Sequence, residues 1–64
     1  MFAVIEKALQ NQGISLQQFA DAIGVSLSAV YEWRNERYKP KTDKLLAIST
    51  YLNIPLDELV KGQG

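Results

Sequence analysis

Two apolar stripes separated by only three residues constrain this chain more than any other feature. Leu16, Phe19, Ala20 and Ile23 fall at i, i+3, i+4 and i+7, the spacing that lines one face of an α-helix. Gly24 stops that helix, because the left-handed stop is cheap for glycine. Ser26 can already cap the next helix, in which Ala29, Val30 and Trp33 form the inward stripe. Two helices of roughly two turns each must therefore fold back across the junction Gly24-Val25-Ser26. Helices this short do not persist alone, so the rest of the chain has to supply the surface they bury against.

The rest reads the same way. Met1, Ile5, Ala8 and Leu9 give a first helix ending at Gly13, and Ser15 with Gln18 forms a capping box for the second. Residues 36–41 read as a polar loop, in which Pro40 discourages helix at Lys39. Thr42 is the expected cap of a fourth helix with Leu45, Ile48, Ser49 and Leu52 inward, and Asn53 its left-handed stop. Pro55 opens a fifth, where its missing N–H costs nothing, with Leu56, Leu59 and Val60 as buried candidates. Leu52, Ile54 and Leu56 are expected to finish the core, and Gly62 to Gly64 to fray. No segment alternates as a strand would. The expected fold is all-α: one compact domain over 1–64, with helices at about 2–12, 16–23, 27–35, 43–52 and 55–61.

Composition then removes whole classes of function. The 64 residues include no cysteine, so neither disulfides nor thiolate metal sites support this small core. The absence of histidine takes away the usual general base. Seven carboxylates are scattered, and the adjacent pair Asp57-Glu58 suits the dipole at the start of the last helix. No glycine-rich loop matches a phosphate or dinucleotide fingerprint, and no serine has a histidine partner. We expect no enzyme activity, no cofactor, no metal and no small-molecule ligand. No apolar run approaches a membrane span or a signal-peptide core, so the expected setting is cytoplasmic, with no membrane partner.

Residues 13–35, GISLQQFADAIGVSLSAVYEWRN, have the layout of a helix-turn-helix, whose second helix can lie in the major groove of DNA. Here the chain resembles the lambda-repressor-like family (Cro/repressor, XRE-type). The resemblance is carried by Gly13-Ile14-Ser15, Phe19-Ala20, Ile23-Gly24-Val25-Ser26, Val30 and Trp33. Pro40, the Leu45/Leu46/Ile48 stripe and Ile54-Pro55-Leu56-Asp57-Glu58-Leu59 follow at the family's usual distances, so about residues 2–62 are covered.

The resemblance implies that the third helix reads base edges through Leu27, Ser28, Tyr31 and Glu32. The chemistry of these side chains is compatible with such a role. Serine donates to or accepts from any base edge, leucine packs on a thymine methyl, and glutamate accepts from cytosine N4. Phosphate contacts are implied for Ser15, Gln17, Arg34, Asn35, Arg37, Lys39, Lys41 and Lys44, together with the second helix's first amides. These contacts fix register and do not read sequence.

Three departures bear on the contacts. Leu16 stands where the family usually has glutamine. Leu9 and Arg34 occupy positions where many members pair an arginine with a glutamate, which leaves Arg34 free to face DNA. Glu36 replaces a common glycine, so the expected turn there is a continued helical one. Trp33 is expected in the core; Tyr31 is open between the outward face and the edge of the fourth helix, and Tyr38 between a phosphate contact and a loop anchor.

The implied function is a sequence-specific regulator of transcription, a repressor, binding double-stranded DNA as a homodimer on a palindromic site. Two alternatives stand beside it: the antitoxin of a toxin–antitoxin pair, and a protein-interaction module that has lost DNA binding. The seven basic and seven acidic residues cancel. They are not evenly spread. Residues 31–44 hold Arg34, Arg37, Lys39, Lys41 and Lys44 against Glu32, Glu36 and Asp43, while each flank carries a net −1. Neutrality therefore opposes strong non-specific affinity for DNA without opposing DNA binding.

Overall fold

The computed structural model describes residues 2–61, and Met1 and the expected frayed tail at 62–64 lie outside it. Five helices follow in order: α1 (Phe2–Gln12), α2 (Leu16–Ile23), α3 (Leu27–Arg34), α4 (Thr42–Leu52) and α5 (Leu56–Lys61). There is no strand among the described residues. All five contribute to one core: Phe2, Ile5 and Leu9 from α1; Phe19, Ala20 and Ile23 from α2; Val30 and Trp33 from α3; Ile48 and Leu52 from α4; and Leu59 from α5. Trp33 is buried, as its place on the apolar stripe requires.

Punctuation between helices follows the chemistry of each stop. Gly13 and Gly24 take positive φ, at 67° and 75°, and Asn53 does so at 57°. The Ser15 hydroxyl accepts from the Gln18 amide, while the Gln18 side chain accepts from the Ser15 amide, closing the capping box. Ser26 caps α3 by accepting from the Ala29 amide at 3.1 Å.

Four expectations need correction. Thr42 is the first residue of α4 and not its cap; Lys41 holds the cap position and makes no side-chain cap bond. Pro55 precedes α5 by one residue, with its carbonyl accepting from Glu58 and Leu59. Val60 is 48% exposed, because Leu56 and Leu59 already fill the inward side of so short a helix. The turn after α3 is not a continued helical turn, since Glu36 adopts a left-handed φ of 58°.

The packing leaves α3 outermost. α2 packs on both α3 and α4, and α4 packs on α1 and α5, whereas the main neighbour of α3 is α2 alone. One side of α3 is thereby seated on the domain and the other is left to solvent.

Candidate nucleic-acid interface

The outward side of α3 carries the residues expected to read bases. Ser28 is exposed, Tyr31 is 44% exposed, and Leu27 and Glu32 are half-buried at the margins. With eight residues, α3 is about 12 Å long, comparable with the width of a B-form major groove. The amides of Leu27 and Ser28 have no intrahelical partner, and Ser26 satisfies the third.

At the start of α2 the amides of Leu16 and Gln17 are likewise free of intrahelical partners. The Ser15 hydroxyl accepts from Gln18 and keeps its own proton to donate outward. Gln17 is exposed, though its amide nitrogen donates to Asp21 at 3.0 Å. These groups form a surface suited to a phosphate oxygen.

The segment after α3 is a basic loop pinned near its far end. Pro40 is buried, and the lysines on either side of it, Lys39 and Lys41, are exposed. Asn35, Arg37 and Tyr38 are also exposed, Tyr38 to 68%. Neither Lys39 nor Lys41 forms an ion pair among the described residues.

Three cations have other occupations. Arg34 is not free: its guanidinium lies 3.9 Å from Glu6 of α1. This pair joins the first and third helices with the acid on α1 and the base on α3, the reverse of what the resemblance implies. The sequence signal was Glu6 itself, one turn before Leu9 and on the same face. Lys44 is half-buried and donates from Nζ to the Ile23 carbonyl at 3.2 Å. There it meets the negative end of the α2 dipole, directly beside the turn between α2 and α3. Arg37 is held near Glu32, with Nε 3.9 Å from Oε2.

No cluster of three or more acidic, histidine or cysteine residues able to hold a metal ion exists among the described residues. No helix among them is long and apolar enough to cross a membrane.

Two short helices crossing at a three-residue turn, the second presented outward, define a helix-turn-helix domain. A family profile described as "Helix-turn-helix" matches residues 5–59, and the chain belongs to this family. That family is one of DNA-binding regulators. A protein of Methanocaldococcus jannaschii, provisionally named an HTH-type transcriptional regulatory protein, is 34% identical over 59 residues. The match covers 92% of this chain but only 18% of that relative. No solved structure matches the chain significantly.

Proposed function

We propose that the chain is a sequence-specific regulator that binds double-stranded DNA by inserting α3 into the major groove. The observation that carries this reading is the placement of α3, seated on α2 by one side and exposing Ser28 and Tyr31 on the other. Leu27, Ser28, Tyr31 and Glu32 read base edges in this scheme. Ser15, Gln17, Asn35, Lys39 and Lys41, with the free amides of α2, hold the phosphates on either side.

Lys44 serves mainly to fix the turn before α3, while Arg34 lies beside Glu6 of α1. The regulatory name of the relative supports a role in transcription. Repression follows if the bound domain occludes a promoter. Two copies on a palindrome would place their α3 helices about one turn, ~34 Å, apart. The setting is the cytoplasm of a prokaryotic or phage-infected cell, where such DNA is accessible.

Salt titration of duplex binding tests the reading. Affinity should fall linearly on a log–log scale, and Lys39→Ala should weaken every duplex alike while reducing the slope by about one. Undetectable duplex affinity at low salt, with a protein partner retained instead, would favour the interaction-module alternative.

A further inference from the structure

Four helices end on a residue of positive φ: Gly13, Gly24, Glu36 and Asn53. At each end the following amide donates to the carbonyl five residues back. Ile14 bonds Leu9, Val25 bonds Ala20, Arg37 bonds Glu32 and Ile54 bonds Ser49, all at 2.9–3.0 Å. This turn brings the side chains of the bonded residues together, and an apolar contact frequently accompanies it. Ile14, Val25 and Ile54 are each packed against the core.

The end of α3 departs from the pattern at two successive positions. Its left-handed residue is a glutamate, and its folded-back residue is an arginine whose side chain is 72% exposed. The residue that Arg37 folds onto is Glu32, on the outward margin of α3. The Glu32 side chain is 38% exposed, yet its Oε2 is buried and has no hydrogen-bond partner among the described residues. The nearest cation to that oxygen is the Arg37 guanidinium, 3.9 Å away. A continued helix would set Arg37 about 140° around the axis from Glu32. The strained turn at Glu36 is what brings the two together.

An exposed pair at this distance adds little to stability, so stability does not account for a strained backbone here. Groove chemistry does. A bare carboxylate on a recognition helix is repelled by the phosphates and, as a pure acceptor, can satisfy only an amino donor such as cytosine N4. A guanidinium folded over one oxygen cancels the charge and leaves the other oxygen to accept.

We propose that Arg37 is a positioning residue for base readout, which neutralises and orients the Glu32 carboxylate and does not clamp a phosphate. The assignment rests on the DNA-binding reading above.

The test uses the site that the wild-type chain enriches from random duplexes, with a panel of its single-base-pair variants. Arg37→Ala and Glu32→Gln should change the preference at the same base pair, by about tenfold. The double variant should go no further than either single one, and Arg37→Lys should regain most of the wild-type preference. Arg37→Ala should also reduce the salt slope by clearly less than Lys39→Ala does. Equal weakening on every duplex with loss of a full unit of slope would overturn the assignment while leaving the DNA reading intact. So would a changed preference at a different base pair from Glu32→Gln. A wild-type chain that enriches no duplex would overturn the DNA reading itself, and this assignment with it.

Discussion

Glu36 occupies a left-handed conformation that costs a side-chain-bearing residue about 1–2 kcal/mol and glycine almost nothing. Glu36→Gly should therefore raise unfolding stability by about 0.5–1 kcal/mol, after the entropy of a freer unfolded chain is subtracted. Urea denaturation at constant m-value measures this, and a loss of stability would show that the turn is not held as described. The sequence misleads at this position for a clear reason. Glycine or asparagine announces a left-handed stop, as at Gly13, Gly24 and Asn53, whereas glutamate announces helix. At Glu36 the turn that folds Arg37 back onto Glu32 overrides local preference. The partner of Arg34 is obscured in a related way, because Leu9 fills the family's usual position and the acid lies one turn earlier.

Each helix was legible in type and nearly so in extent. The apolar stripes had helical spacing throughout, and most ends carried serine, glycine or asparagine. The exceptions are physical. α4 begins at Thr42 behind Lys41, which makes no side-chain cap bond, so the good capping residue Thr42 misleads by one position. α5 is too short to bury three apolar residues, which leaves Val60 at the surface.

Less visible in the sequence was the bracing of the helix-turn-helix by α4. Lys44 reaches across twenty-one positions to the last carbonyl of α2. Replacing Lys44 with Met keeps the aliphatic stem and removes the charge at the helix end, at a cost of about 0.5–1 kcal/mol. Thermal melting of Lys44→Met should show that decrease, while the salt slope of duplex binding stays within a few tenths of wild type. A slope lower by a full unit would mean that Lys44 reaches phosphate after all. By the same logic Ser15→Ala should cost about 1 kcal/mol through loss of the α2 cap. An unchanged denaturation midpoint would contradict that bond.

At the scale of the whole molecule, the zero net charge conceals an arrangement. The folded chain spans 26 × 25 × 19 Å, so five of its seven cations fall within one stretch of a small body. The fold divides those five further: Arg34 lies beside Glu6 of α1, Lys44 braces the turn, and Arg37 lies beside Glu32. Lys39 and Lys41 remain as exposed cations flanking the buried Pro40. With so few available charges, non-specific affinity should be weak and discrimination should depend on contacts made by α3.

The most direct measurement is a selection from random duplexes by the wild-type chain, repeated with Ser28→Ala and Lys39→Ala and read by sequencing. Wild type should enrich one sequence. Ser28→Ala should alter the preferred base at a defined position, and Lys39→Ala should keep the same sequence at lower yield. No enrichment by wild type, or the same uniform loss from both variants, would contradict the claim that α3 reads DNA.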